Sequence, residues 1–272
     1  MSSFINIEPK AENLKEYISS FTVSADGGSY PLIYTAFPNV GTCLAFFNKA
    51  SITMDRNGLV LSSDSTKAPV ITLLGRLIKP TQVAFEHPVE EISINFKPCG
   101  INYFFNRPFA DMAPNPHQLL KDPQWVEFAA RLYAEIPEHR LALLEAFLLS
   151  KIVGHNIDLL KRITKSTAGI VETNVEVQAG IACMSQRNFL RCFKSYVGCN
   201  PSTYKKIVRF RKLLDAHYST STRSYRDFLP TAEYYDSAHF RKDFVQFTGI
   251  PPTRFKKGSF LQGNGSSIFK SD

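Results

Sequence analysis

An internal repeat in the second half of the chain places the strongest constraint on its fold. When the sequence is shifted by 51 residues, FLRCFKSYVGCNPSTYKK aligns with FRKDFVQFTGIPPTRFKK. The alignment superimposes aromatic residues at helical spacing, the glycine that follows them and the proline beyond it. The matched pairs are Phe189 and Phe240, Phe193 and Phe244, Gly198 and Gly249, and Pro201 and Pro252. Unrelated amphipathic helices would share only the apolar spacing, so the pattern indicates two copies of one helical unit.

The first copy predicts a complete helix–turn–helix. We expect residues 175–182 to form a short helix, 183–184 a turn and 185–197 a second helix, which is the length and order of that motif. With Phe189 and Phe193 in the core, the polar residues of the second helix share its outer face. The residues predicted to contact DNA on this face are Gln186, Arg187, Asn188, Arg191 and Lys194.

The second copy predicts a similar helix. Asp236 is a favourable N-cap residue, because its side-chain oxygen can accept a free backbone N–H of the first turn. Phe240 and Phe244 are expected to be buried. The residues predicted to contact DNA on the outer face of this helix are Ser237, Arg241 and Lys242.

The charge is divided unequally between the halves of the chain. Residues 1–155 carry 13 Lys and Arg against 15 Asp and Glu, whereas residues 156–272 carry 19 against 9. A net charge of +10 fits either a solvated basic face or binding to a polyanion, most often nucleic acid. Two basic helix faces in the same half favour double-stranded DNA.

The first half has the residue pattern of a β-rich protein. Residues 29–97 contain short β-branched and aromatic runs between Pro, Gly, Asn and Asp residues, which predicts a barrel or sandwich. Asn57-Gly58 within ITMDRNGLVLS is the clearest hairpin turn. From Pro123 the period becomes helical, since Trp125, Phe128 and Leu132 fall on one face.

Residues 156–258 resemble the paired helix–turn–helix domain of the AraC/XylS family of transcription regulators. The first family signature appears as AGIACMSQRNFLRCFKSYVGCNPSTY and the second as EYYDSAHFRKDFVQFTGIPP. KKIVRFRKLLDAHY is similar to the linker helix of the family. Residues 12–120 more loosely resemble the β-rich regulatory domains that accompany such DNA-binding domains.

The resemblance and the residue patterns together predict two domains. A β-rich α+β domain, cupin-like or a barrel or sandwich, is expected at residues 1–152, an all-α AraC-like DNA-binding domain with two helix–turn–helix motifs at 153–260, and a disordered tail at 261–272. The resemblance implies a sequence-specific DNA-binding regulator rather than an enzyme, with a small-molecule effector at the first domain. It leaves open a homodimer and a contact with RNA polymerase.

Two departures from the family pattern fall before the second recognition helix. Pro230 has no backbone N–H and clashes with the preceding turn, so a helix begun near Ser224 should kink or stop there. Glu233 stands where family members carry glycine, and it has no easy access to a positive φ. The second motif is therefore expected to be altered.

The sequence gives little support for an enzymatic, metal-binding or cofactor-binding function. There is no H-E-x-x-H, H-x-H, C-x-x-C, Walker A, G-x-G-x-x-G or G-x-S-x-G pattern, so neither a metal nor a cofactor is expected. No apolar leader or membrane span is apparent, which predicts a cytoplasmic protein. The alternative is a small-molecule-binding or enzymatic N-terminal module joined to a degenerate DNA-binding domain.

The aromatic residues of the first half allow two interpretations. They can fill the core between sheet and helices, or some can line a pocket for an apolar or anionic effector. In the second case Arg76, which follows the strand VITLLG, is the expected anion-binding group.

Overall fold

The computed structural model describes residues 4–24, 30–54, 58–152, 157–219, 234, 236–255, 260–263 and 266–270. The strands are β1 (Phe4–Ile7), β2 (Ile18–Ser24), β3 (Leu32–Ala36), β4 (Thr42–Asn48), β5 (Ala50–Met54), β6 (Gly58–Ser63), β7 (Val70–Leu74), β8 (Thr81–Phe85), β9 (Glu90–Phe96), β10 (His117–Leu119), β11 (Phe260–Gly263) and β12 (Ser266–Lys270). The helices are α1 (Glu12–Lys15), α2 (Phe109–Met112), α3 (Pro123–Ala134), α4 (Pro137–Lys151), α5 (Ile157–Thr167), α6 (Val175–Ile181), α7 (Gln186–Val197), α8 (Pro201–Ser219) and α9 (Ser237–Thr248). Short 3-10 turns occur at Gly100–Tyr103 and Pro252–Arg254.

The described strands form two six-stranded sheets, which confirms the β-rich first region. One has the order β1-β2-β9-β4-β7-β10 and the other β11-β12-β3-β8-β6-β5. All pairings are antiparallel except β6 with β8. Strands β5 and β6 pair as the predicted hairpin, with Met54 opposite Leu59, although Asn57 of its turn lies outside the described residues.

Strand β9 lies between two different cores. Because successive side chains of a strand point to opposite faces, Ile92, Ile94 and Phe96 pack into the core that the helices cover. The alternate residues, which include Glu91 and Ser93, lie on the face that is turned toward the second sheet. The core on that side is formed by residues of β3, β4, β6 and β8.

Helices α3 and α4 cover the outer face of the first sheet. Asp122 caps α3 by accepting from two backbone N–H groups, and Pro123 occupies its first turn, where a missing N–H costs nothing. Trp125 stacks on Phe105 at 4.7 Å between ring centroids, and Phe128 stacks on Phe147 at 3.7 Å. The predicted apolar face of α3 is therefore confirmed. Burial of the Phe128 ring, which is 2% exposed, contributes roughly 1.5–3 kcal/mol.

Helices α5 to α9 form the second region around two cores. Phe189 and Phe193 of α7 pack in one core, and Phe240 and Phe244 of α9 in the other. Helix α8 joins them, because its first turns carry Tyr204 into the first core and its later turns carry Phe210 into the second. The repeated aromatic pairs thus have equivalent positions in two packed units.

The sequence predicts that the helical region begins at residue 153 and ends at residue 260. The predicted boundary at residue 152 lies beside 153–156, which fall outside the described residues. The tail that was predicted to be disordered contains strands β11 and β12, and β12 pairs with β3. Within the described part of the chain, no helix is both long and apolar enough to cross a membrane.

Replacing the buried Glu91 by glutamine should change how stability depends on pH. Burial raises the pKa of the Glu91 carboxyl from 4.5 to about 7, because the ionised form loses its hydration. A raised carboxyl pKa reduces the free energy of unfolding as the pH rises from 4.5 through 7. In urea unfolding, E91Q should match the wild type near pH 4.5 and exceed it by roughly 3 kcal/mol at pH 8. An equal gain at both pH values would contradict this assignment.

Candidate nucleic-acid interface

The first helix–turn–helix is built as the sequence predicts. Asn174 caps α6 by accepting from the backbone N–H of Val177 at 2.9 Å. Cys183 takes a left-handed φ of 53°, which turns the chain between the helices. Ser185 then caps α7 by accepting from the N–H of Asn188 at 3.4 Å. Together the caps and the turn fix the angle at which α7 leaves α6.

Helix α7 presents a basic outer face. Phe189 and Phe193 are completely buried, while the predicted contact residues lie on the other side of the helix. Gln186, Arg187, Arg191 and Lys194 are exposed and Asn188 is half-buried. The helix contains no acidic residue, so all the charged groups on its outer face are positive. That these side chains contact DNA stays a prediction.

Asn188 and Arg191 contact each other on this face. A guanidinium nitrogen of Arg191 donates to Oδ1 of Asn188 at 2.9 Å, and the residues are one helical turn apart. Bidentate pairing of asparagine with adenine requires this same oxygen as an acceptor. In the observed arrangement Asn188 instead orients Arg191, whose remaining donors are available to a guanine edge or a phosphate.

Helix α9 repeats the arrangement of α7. Asp236 caps it by accepting from the N–H of His239 at 2.7 Å, which confirms the predicted cap. The predicted contact residues Ser237, Arg241 and Lys242 are all exposed, and Phe240 and Phe244 are buried behind them. The segment that contains Ser224, Pro230 and Glu233 lies outside the described residues, so the expected alteration of the second motif stays a prediction.

A buried ion pair attaches α9 to α8, and the sequence analysis did not identify it. Asp243 is fully buried and accepts from the Lys206 ammonium at 2.9 Å, with the His239 ring nitrogen 3.5 Å from its other oxygen. Removing one partner of such a pair leaves an uncompensated buried charge and is strongly destabilising. The sequence did contain a signal for this pair, because Asp243 lies between the buried aromatic residues Phe240 and Phe244 on the same helix. Lys206 therefore serves the core of the second unit.

The α7 face is held in place from behind by the β-rich region. Arg76, which follows β7, donates to the carbonyl oxygens of Val197 at 2.8 Å and Gly41 at 2.9 Å, and also to the carbonyl of Asn39. Its guanidinium lies 5.6 Å from the Tyr204 ring centroid. These partners are carbonyls and rings, so the expectation that Arg76 binds an anionic effector is wrong for this arrangement. A cation at the last carbonyls of α7 is also favoured by the helix dipole.

Further contacts join the two regions beside Arg76. The Asn102 amide donates to the carbonyl of Tyr196 at 2.9 Å, and its oxygen accepts from the N–H of Phe109 at 2.8 Å. The Tyr204 hydroxyl donates to the carbonyl of Val40 at 3.2 Å. Phe37, predicted as part of the first region, packs against Phe210 and Phe255 in the second. Both helical units therefore rest on the β-rich region.

Comparison with known protein families identifies the helical part of the chain. Residues 178–258 match a family described as a helix-turn-helix domain, of the AraC type. This part of the chain is therefore an AraC-type helix–turn–helix domain, as the sequence resemblance predicts. Domains of this type bind DNA in transcription regulators. The sequence matches no curated protein.

Among solved structures, several of ToxT from Vibrio cholerae are similar in overall shape. A structure from strain O395 is 10% identical, with 93% of this chain and 95% of that chain covered and a TM-score of 0.46. A 1.65 Å structure is 12% identical over 86% and 97% of the chains, with a TM-score of 0.48. A third, bound to an unsaturated fatty acid, is 11% identical over 87% and 94%, with a TM-score of 0.46.

Three glycine-to-alanine variants should separate backbone strain from the contact between regions. Gly198 and Gly249 end α7 and α9 with φ of 86° and 77°. A Cβ on Gly198 would lie 2.8 Å from the Phe109 ring and 2.9 Å from Cβ of Arg76, whereas one on Gly249 would meet nothing closer than 3.5 Å. In urea unfolding, G249A should lose roughly 1–3 kcal/mol through strain alone, and G198A should lose about 1–3 kcal/mol more.

Gly180 provides the matched control for these variants. It lies in α6, and a Cβ there would meet no atom within 4 Å. Alanine has the higher helix propensity, so G180A should gain about 0.5–1 kcal/mol. Equal losses for G198A and G249A would show that Gly198 has no special role at the contact between the regions.

Proposed function

We propose that this protein is a sequence-specific DNA-binding transcription regulator whose β-rich region controls the DNA-binding region in response to a small molecule. One observation carries the proposal. Within an AraC-type domain, α7 and α9 each begin at a capping side chain, end at a left-handed glycine and present exposed basic residues away from a buried aromatic pair. This arrangement suits two helices that enter the major groove of one duplex.

The two kinds of contact expected on these helices differ in their effect. Phosphate contacts supply affinity without sequence preference, and contacts to base edges supply sequence choice. Arg187 is exposed on the first turn of α7, and recognition helices direct their N-terminal residues toward the bases. Arg191, oriented by Asn188, is the second candidate for bidentate contact with guanine. Lys194, in the last turn, is better suited to the phosphate backbone.

The contact made by Arg76 offers a route from effector to DNA. It joins the turn between β3 and β4, at Asn39 and Gly41, to the last carbonyl of α7, so a displacement of this turn would move α7. The turn that Asn102 stabilises makes a second connection at Tyr196. We infer that effector binding in the β-rich region acts on DNA affinity through these hydrogen bonds.

Alanine substitution of the arginines on α7 tests the DNA-binding assignment. R187A and R191A should each weaken specific binding, with roughly 1–3 kcal/mol lost for a residue that makes a bidentate base contact. Fluorescence anisotropy with an operator selected from genomic fragments, and with a scrambled duplex, measures the loss. R131A is the control, because Arg131 is an exposed residue of α3 that carries the same charge. If both α7 variants bind the operator with wild-type affinity, the assignment of α7 to the major groove is wrong.

The basic residues of α9 should behave differently. Because Pro230 and Glu233 precede this helix, we expect Arg241 and Lys242 to contact mainly phosphates. R241A and K242A should weaken binding to operator and scrambled DNA alike. Each should reduce the slope of log affinity against log salt by about 0.9. A change of base preference at one operator position would instead show that α9 recognises sequence.

A further inference from the structure

The core between the two sheets contains a carboxyl group without a complete set of hydrogen-bond partners among the described residues. Glu91 of β9 is 8% exposed. Its Oε1 accepts from the Ser93 hydroxyl, and its backbone N–H donates to the Ser24 hydroxyl at 2.9 Å. Its Oε2 is buried and has no hydrogen-bond partner among the described residues. Because buried polar atoms are almost always paired, this oxygen is suited to accept one further hydrogen bond.

Aromatic rings lie beside this carboxyl. Phe47 of β4 is directly opposite Glu91 in the antiparallel ladder, which places their side chains on the same face of the sheet. The Phe47 ring is 6.3 Å from that of Phe85, and the Phe85 ring stacks on Tyr34 at 6.2 Å. The negative faces of such rings attract a cation, most strongly where water is excluded.

Among the described residues, no basic side chain forms an ion pair with Glu91. The buried basic residues in the described part of the chain are Arg140, which bonds Glu90, and Arg211 in α8. The titratable groups that interact electrostatically with Glu91 are Tyr34 of β3, Cys43 of β4 and Tyr133 of α3. Burial raises the pKa of all three, so each is neutral at pH 7. An anionic ligand would meet a carboxylate here without a cation to bind it.

We propose that Glu91 and the rings of Phe47, Phe85 and Tyr34 bind a small organic cation, a primary amine with an apolar body, and that this amine is the effector on which the proposed regulator depends. An ammonium N–H donates to the unpaired Oε2 in a charge-assisted hydrogen bond. The apolar body packs on the rings. A divalent metal fits less well, since the described residues contain no group of three or more metal-ligating side chains.

The ionisation of Glu91 gives this site a distinctive pH dependence. The pKa of the carboxyl is about 7 without a ligand, because burial disfavours its charged form. An ammonium ion pairs with the ionised form, so binding below pH 7 must release the carboxyl proton. The affinity for an amine should therefore rise up to tenfold per pH unit below 7 and become constant above it. A simple apolar pocket would show no such change.

Calorimetric titration of the full chain with phenethylammonium chloride between pH 5.5 and 8.5 tests the proposal. Matched probes are 2-phenylethanol, which is neutral, and 3-phenylpropionate, which is anionic. The wild type should bind the ammonium probe at least tenfold more tightly than either at pH 8, with the pH profile described above. E91Q should bind it at least tenfold more weakly and without that profile. F47L should weaken it several-fold and keep the profile.

Glu86 provides the control, because it is an exposed carboxylate in the same region, and E86Q should bind like the wild type. Equal binding of the three probes, an E91Q affinity equal to that of the wild type, or no binding of the ammonium probe at 10 mM would overturn the proposed site. DNA binding is measured separately by anisotropy. If the protein binds the operator but shows no Glu91-dependent amine binding, the proposed regulatory function is kept and the proposed amine site is rejected. If the protein binds the amine but shows no preference for the operator, the amine site is kept and the sequence-specific regulatory function is rejected.

Discussion

The hydrogen bonds of Arg76 are the interaction on which the arrangement of the two regions depends. A guanidinium has five donors in a rigid fork. Here Nε donates to the last carbonyl of α7, and Nη1 donates to two carbonyls of the turn between β3 and β4. The close approach is feasible because α7 ends at Gly198, whose missing Cβ leaves room for Arg76 and Phe109. The glycine thus ends the helix and also admits the neighbouring region.

The consequence is that the units containing α7 and α9 are held against the β-rich region. Phe37 packs in the core of the second helical unit, and Tyr204 and Asn102 fix the first. Regions joined only by a flexible linker move independently by default, whereas a packed and hydrogen-bonded contact couples them. A ligand that bound the β-rich region and altered such a contact would therefore also shift the position of the helical units.

Helices α7 and α9 begin and end according to local rules, whereas their attachment depends on long-range contacts. Caps at Ser185 and Asp236 and the glycines that follow each helix were predictable, because these effects involve residues a few positions apart. The pair of Asp243 with Lys206 was not, because its partners are 37 residues apart in the sequence. The expected role of Arg76 was wrong for the same reason, since its acceptors lie 35 to 121 residues away.

The sequence by itself determined the class of each region, the helix faces that carry basic residues and the family of the repeated unit. It could do so because hydrophobic periodicity, helix capping and a 51-residue repeat are local or periodic signals. Only the tertiary structure decided what each buried polar group meets. Ile92 and Glu91 are neighbours in sequence, yet one enters the core beneath the helices and the other lies between the sheets. The alternation of the strand fixes that they differ, but which elements cover each face depends on the packing of distant strands and helices.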